Sequence, residues 1–296
     1  MRNAFADEAT KLSMADNRIV LLSGDIGNKL FDTFKEKNGS RFLNCGVAEG
    51  NMMGVAAGMA LSGLRPIIYT ITPFTTTRCY EQIRVDACYH NVPVTIVGTG
   101  SGFTYAELGP THHSCEDLAI MRVLPNMTVL APADEVELRQ CLQATFKQDG
   151  PVYIRIGKKG EAITPKKDNN FEIGHSITVS EGSDVCLIST GILLPIVMKA
   201  AEILSSQGVS ARVESFHTIK PLDQKTLHDT FANYPVVAVV EEHNKIGGLG
   251  GSIAEWLALQ VSTKGRMISF GVDDEFMHEV GSQNYAREKY GLTSEN

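Results

Sequence analysis

Long apolar runs are absent from this 296-residue chain. None approaches the ~20 residues that a membrane-spanning helix needs. The N-terminal "MRNAFADEATKLSMADNRIVLL" carries Asp7 and Glu8 where a secretion signal would have its apolar core. An excess of positive charge is missing too. The formal net charge of −7 and the pI near 5.6 argue against a nucleic-acid or anionic-membrane partner held by bulk charge. The six cysteines (Cys45, Cys79, Cys88, Cys115, Cys141 and Cys186) form no Cys-x-x-Cys pair, and most sit among apolar residues. They are expected as reduced core residues of a cytoplasmic protein, with no metal site built on them. Nucleotide fingerprints are missing as well. Neither "GTGSGF" (98–103) nor "GGLGGS" (247–252) spells Gly-x-Gly-x-x-Gly, and no Gly-x-x-x-x-Gly-Lys-Ser/Thr occurs. "GGLGGS" follows a strand pattern and opens a helical one, so it is either an anion seat on backbone N–H groups or only a tight turn.

What the chain does contain is alternation. Apolar runs with β-branched residues are expected as strands at 18–23, 41–45, 65–71, 92–99, 126–132 and 151–157. Helical periodicity fills 49–62, 77–90 and 134–148 between them. Short strands separated by helices imply a largely parallel sheet covered on both faces. "KKGEAITPKKDNNFEIGHS" breaks the pattern with Lys158, Lys159, Lys166, Lys167, Pro165 and the Asn169–Asn170 pair. It is expected as a linker, or an exposed crossing between domains, over 161–175. Strands then resume at 184–190, 210–216, 235–242 and 266–271, with helices at 192–207, 222–232 and 248–259. The expected fold class is α/β, with two doubly wound domains of largely parallel sheets over 1–160 and 176–296.

One residue resists a packing explanation. In "FLNCGVAEGNMMGVAAGMALSGLRPIIYTI", Glu49 sits among Val47, Met52, Met53, Val55 and Ala56. A Glu in the first turn of a helix is favoured by the helix dipole and needs no other role. The other reading is a carboxyl that the fold withholds from water for chemistry.

Several landmarks occur in a familiar order: "SGDIGN" (23–28), the stretch around Glu49, "ELGPTHHSCEDLAIMRVLPNMTVLAPADEVEL" (107–138), "GPVYIRIGK", "DVCLISTG", "TIKPLD" (218–223) and "VVAVVEEHNKIGGLGGSIAE". Together they resemble the C-terminal half of transketolases, a pyrimidine-binding domain followed by a small C-terminal domain. The 1-deoxyxylulose-5-phosphate synthases and the β subunits of 2-oxo-acid dehydrogenase decarboxylases are similar. The Gly-Asp-Gly and Asn motif of the family's diphosphate domain is not present. The resemblance therefore implies one subunit of a split transketolase, using thiamine diphosphate and Mg²⁺, with the metal and diphosphate held mainly by a separate N-terminal subunit. A symmetric heterotetramer with two copies of each chain, and sugar substrates, would follow.

The resemblance also assigns residues. Glu49 matches the family's glutamate that faces N1′ of the cofactor's aminopyrimidine. The thiazolium C2 must lose a proton to the 4′-imino nitrogen, and a carboxyl at N1′ favours the imino tautomer. Apolar surroundings suit this task by disfavouring the charged carboxylate. His112, in "GPTHHS", matches a substrate-facing His. A solvent-facing loop His is the plain alternative, more so for His113, because two adjacent histidines cannot point the same way. Glu107 matches one acid of the family's Gly-Glu-Asp-Gly turn and is placed with the substrate-binding residues, although Leu108 replaces the second acid. Asp25 matches an acidic position near the cofactor, or is a structural Asx-turn.

The pyrimidine's aromatic partner is expected in "ITPFTTTRCYEQIR". Ungapped register puts Thr75 there, and a one-residue shift puts Phe74. Phe74 is preferred, because an aromatic face is worth about 1 kcal/mol to a stacked ring. Arg78 of the same segment is grouped with the cofactor-binding residues. Arg155 matches an arginine that can grip a substrate phosphate bidentately, and fits equally a strand-end Arg paired with an acid at the domain interface. Gly100 stands where sugar-phosphate transketolases often carry a His, which leaves the acceptor open.

Three functions compete on these grounds. The first is transketolase-type transfer of a two-carbon ketol unit from a ketose donor to an aldehyde or sugar acceptor. The second keeps the cofactor with 2-oxo-acid decarboxylase β-subunit or deoxyxylulose-phosphate-synthase chemistry. The third is a non-catalytic regulatory subunit, against which the joint retention of Glu49, Asp25 and His112 argues.

Overall fold

The computed structural model describes residues 1–27, 29–166 and 170–296. Asn28 of "SGDIGN", and Lys167 and Asn169 of the connecting segment, lie outside the described residues. The strands are β1 (Ile19–Ser23), β2 (Phe42–Asn44), β3 (Arg65–Ile71), β4 (Thr95–Thr99), β5 (Thr128–Leu130) and β6 (Val152–Ile156). They continue as β7 (Ile177–Ser180), β8 (Val185–Ser189), β9 (Ala211–Ser215), β10 (Thr218–Lys220), β11 (Val236–Asn244) and β12 (Arg266–Val272). Helices α1 (Arg2–Ala15), α2 (Asp32–Asn38), α3 (Glu49–Leu61), α4 (Thr72–Thr75), α5 (Tyr80–Gln82), α6 (Asp117–Arg122) and α7 (Glu135–Thr145) accompany the first sheet. The second has α8 (Leu194–Ser206), α9 (Gln224–Asn233), α10 (Leu249–Ala258) and α11 (Gln283–Lys289).

Both sheets are largely parallel, and the class is α/β as expected. The first runs β10-β5-β6-β4-β3-β1-β2 and the second β12-β11-β8-β9-β7. The strands of the first sheet bury both faces. In β1, Val20 and Leu22 pack with Met52, Met53, Ala56 and Ile83 on one side, while Ile19 and Leu21 pack with Phe5, Phe31 and Leu138 on the other. That explains their near-continuous apolar sequence. Met52 and Met53 are core residues with no exposure. The segment expected as one helix over 77–90 is wound in pieces: a 3₁₀ turn at Thr77–Cys79, α5, and a π-helical stretch at Ile83–Tyr89. Such stretches recur at functional sites. Among the described residues no helix is long and apolar enough to cross a membrane.

Two strands escaped the periodicity. β7 and β10 are both short, and each is antiparallel to its neighbour. β10 comes from "TIKPLD" in the second half of the chain, yet it pairs with β5 at the edge of the first sheet. The halves are thus stitched by backbone hydrogen bonds.

The connecting segment is exposed in part, as expected, at Ala162, Ile163, Pro165, Asn170, Glu172 and His175, but it is also anchored to the interior. Thr164 is buried, and Phe171 and Ile173 pack against the core formed by α1, α7 and the first sheet. Asp134 caps α7, accepting from the backbone of Val136 and Glu137 at 3.0 Å each, while Glu137 accepts from Ala133 N–H at 2.6 Å. Lys166 closes this acidic cap, with Nζ 2.6 Å from Asp134 and 3.4 Å from Glu137, all three side chains being almost fully buried. Ser215 of β9 donates to the same Glu137 at 2.7 Å. Removing the lysine leaves two buried carboxylates without their cation. Lys166→Met is therefore expected to lower unfolding stability by about 3–5 kcal/mol in urea titrations.

His217, beside β10, adds a pH dependence. Its ring is buried and stacks on Phe171 at 4.1 Å. Burial, aided by the charge of Lys166, pushes it down to about 3. The unfolded chain takes up its proton near pH 6.5, so between pH 6.5 and about 3 only the unfolded state holds it. Stability then rises with pH across that window, by up to about 1.4 kcal/mol per pH unit. His217→Gln should flatten this slope in unfolding curves recorded between pH 4 and 7.

Candidate active site

The first sheet has a switch in direction. The chain leaves β1 towards β2 on one side and leaves β3 towards β4 on the other. Connections that diverge in this way open a crevice at the carboxyl ends of the strands, where ligands of such folds bind. The segments after β2, β3 and β4 bring Glu49, Phe74, Arg78 and His112 together there.

Glu49 is the first residue of α3 and its carboxyl is almost fully buried. Oε1 accepts from Arg78 Nη1 at 2.9 Å, while Oε2 is buried with no partner. The surroundings are thus not wholly apolar, as the sequence suggested, because a guanidinium stands beside the carboxyl. Arg78 is half exposed, and its guanidinium lies 4.0 Å above the Phe74 ring. A cation over an aromatic face in this position is attracted by about 0.5–1 kcal/mol. Phe74 in turn meets the His112 ring edge to face, with centroids 5.3 Å apart.

Local structure sorts the two candidates for the aromatic position. Pro73 is the second residue of the single turn α4, which places Phe74 half-buried at the crevice. Thr75 turns inward, is fully buried, and donates its hydroxyl to the Thr72 carbonyl at 3.0 Å. The structure brings Phe74, and not Thr75, to the cluster.

His112 belongs to a loop closed on itself. Gly102 and Ser114 exchange both backbone hydrogen bonds, at 3.1 and 3.0 Å, so the residues between them project as one unit. The Thr111 hydroxyl is 2.9 Å from His112 Nδ1, and Tyr105 flanks the ring at 6.2 Å. Burial, then the charges of His113 and Arg78, lower the His112 imidazole below its ordinary range, which keeps it neutral at pH 7. His113 points the other way, edge to face on Phe103 at 5.2 Å and nearly buried. Tyr105 was not singled out from the sequence. Its position two residues before Glu107, in a loop already under suspicion, was the available signal.

Other candidates stand outside the cluster. Arg155 is buried at the domain interface, where Nη2 donates to the carbonyls of Ser114 and Glu242 at 2.8 and 2.7 Å and Nε lies 3.1 Å from Asp117. Of its two readings, these contacts are those expected of the interface arginine. Glu107 is exposed and pairs with Lys158 at 3.0 Å; its own backbone and Lys158 hold the carboxyl below its usual range. Asp25 is exposed, has a left-handed backbone (φ 56°), and accepts from Asn44 at 2.8 Å. The N-terminus of α10 in "GGLGGS" already holds an anion of the chain itself. Glu241 accepts from Leu249 and Gly250 N–H at 2.7 and 2.8 Å, which corrects the anion-seat reading. Among the described residues no group of three or more His, Cys, Asp or Glu is placed to hold a metal ion.

Comparison with known proteins agrees with this architecture. The family model of the transketolase pyrimidine-binding domain matches residues 1–160, and that of the transketolase C-terminal domain matches 174–296. The chain is 35% identical, over 99% of its length and 91% of the relative's, to the 6-deoxy-6-sulfo-D-fructose transketolase subunit SqwH of Clostridium sp. (strain MSTE9). It is also 35% identical over 88% of its length to the 1-deoxy-D-xylulose-5-phosphate synthase of Dictyoglomus turgidum, of which it spans only 42%. A solved split gene transketolase, described as an inactive beta4 tetramer, superposes with a TM-score of 0.89 at 34% identity, covering 99% of this chain and 94% of that one. The chain therefore belongs to the transketolase family, as a protein built from its pyrimidine-binding and C-terminal domains.

Proposed function

We propose that this chain is the C-terminal subunit of a thiamine-diphosphate-dependent transketolase, transferring a two-carbon ketol unit from a ketose to an aldehyde acceptor. It would act with a separate subunit that binds the diphosphate and Mg²⁺, in a cytoplasmic heterotetramer. One observation carries this reading: at the switch point of the sheet, a carboxyl with one buried, unpartnered oxygen is linked through Arg78 to an aromatic side chain that meets a neutral histidine. These residues fit an aminopyrimidine ring. Glu49 Oε2 has the free lone pairs to share a proton with a ring nitrogen, and Phe74 offers a face for stacking. When bound, the cofactor supplies an electron sink for carbon–carbon bond cleavage.

The chain's own residues then divide the work. Glu49 is held in place as the first residue of α3 and by its bond to Arg78. His112 has Thr111 on Nδ1, so Nε2 is the nitrogen available to a substrate hydroxyl. In the tautomer whose Nδ1–H donates to the Thr111 hydroxyl, the neutral ring has its lone pair on Nε2 and can accept that proton. Arg78 covers the Phe74 face and neutralises Glu49, so it is the group that has to yield to a stacked ring.

Substitution of Glu49 by Gln removes the ionisable proton but keeps shape. In the complex reconstituted with its partner, ketol transfer should fall by about 10²–10⁴-fold. Unchanged turnover would instead return the chain to the class of non-catalytic subunits. Calorimetric titration of thiamine diphosphate and Mg²⁺ should show binding with the partner present and none to this chain alone; tight binding to the chain alone would mean that the diphosphate site lies here. The similarity to a 1-deoxyxylulose-5-phosphate synthase supports one second reading, in which a 2-oxo acid is the donor. A donor panel of ketose phosphates, a 6-sulfo ketose and pyruvate separates the two, with the ketoses expected to be consumed.

A further inference from the structure

We propose that Glu242, a residue of the second domain, is the positioning residue for His112. It acts by gripping the neck of the 102–114 loop, and the proposal rests on the reading of His112 as the substrate-facing base.

Glu242 lies near the end of β11 and is buried. Its Oε1 accepts from Phe103 N–H at 2.7 Å, the first amide past the Gly102–Ser114 neck. A side chain at Gly102 would run into this carboxylate, and the backbone there is left-handed (φ 56°), so both constraints demand glycine. The other strand of the neck is tied to the same residue. Arg155 Nη2 bridges the Ser114 carbonyl, at 2.8 Å, and the backbone carbonyl of Glu242, at 2.7 Å. The remaining partners of the Glu242 carboxylate come from α11: Gln283 Nε2 at 2.9 Å from Oε1, and Arg287 Nε on Oε2.

The grip reaches the histidines through Phe103. Its ring stacks on Tyr290, with centroids 5.4 Å apart and planes parallel, and carries His113 edge to face at 5.2 Å. With His113 held inward by that contact, its neighbour faces the crevice beside Phe74. The second domain and its last helix thereby decide where a side chain of the first domain points. Removing the carboxylate would leave the buried Phe103 N–H without its acceptor and the partly buried Arg287 guanidinium without its anion, a penalty that opens the neck.

The test uses the full chain and its reconstituted complex. In Glu242→Ala, amide exchange across residues 101–115 should rise about 10- to 100-fold. The His112 ring resonances should shift, and its titration should move up towards the ordinary histidine value as the loop becomes solvated. Glu242→Gln keeps an acceptor for Phe103 and should restore most of the protection. Tyr234→Phe, which removes a hydrogen bond to Gly182 elsewhere in the second domain, should leave the His112 titration unchanged, separating positioning from a general loss of stability. Should Glu242→Ala not fold, Arg287→Met loosens the same carboxylate and should raise loop exchange to a smaller degree. In the complex, kcat should fall about 10- to 100-fold in Glu242→Ala with the KM for the cofactor unchanged. Unaltered loop exchange and His112 titration in the folded variants would overturn the proposal. A wild-type complex without ketol transfer would overturn the functional reading instead, and the exchange and resonance measurements on the full chain would still decide this one.

Discussion

A guanidinium taken out of water has to be surrounded by acceptors, and the placement of Arg155 at the end of β6 organises much of this molecule. Its ion pair with Asp117 sets the start of α6, and Tyr153 donates to the same carboxylate at 2.6 Å. Its two backbone acceptors belong to the histidine loop and to β11. One buried cation thus joins the first sheet, the loop carrying His112 and the second domain. Because a buried charge tolerates little displacement from its partners, the three parts share one geometry.

The connection between the halves follows the same physics. Lys166 lies in a stretch whose composition reads as exposed linker, yet it closes the capping carboxylates of α7 in the interior. β10 extends the first sheet from a segment that follows β9 of the second. With an ion cluster and a strand pairing shared across the boundary, the two halves form a continuous structure, and residues such as Glu242 can act at a distance in sequence from the groups they hold.

The cluster at the switch point combines a buried carboxylate, an exposed arginine and two rings. Glu49 alone would carry an uncompensated charge inside the protein. Arg78 relieves this at the cost of covering the Phe74 face, and it does so from a half-exposed position where a guanidinium is readily rehydrated. The arrangement keeps a carboxylate oxygen unpartnered without leaving the whole group unpaired.

Periodicity in the sequence determined the order of strands and helices, because side chains on a doubly covered sheet are apolar wherever they stand and those on its helices recur every three to four residues. β3, for example, occupies the residues expected for it, and α3 and α10 fall within a residue or two. The suspicion around Glu49 was legible for the same reason: a carboxylate stands out against apolar neighbours. Tertiary structure alone decided the rest. Two antiparallel strands of three or four residues leave too short a pattern to read, and the split of Ile83–Tyr89 into a π-helical stretch depends on what packs on it. That Phe74 rather than Thr75 lies beside His112 follows from a single turn of helix, and the place of Arg155 at the domain interface from acceptors 41 and 87 residues away along the chain. Partners so remote leave no local signal, because a charged side chain has the same spelling whether it meets solvent, a ligand or another domain.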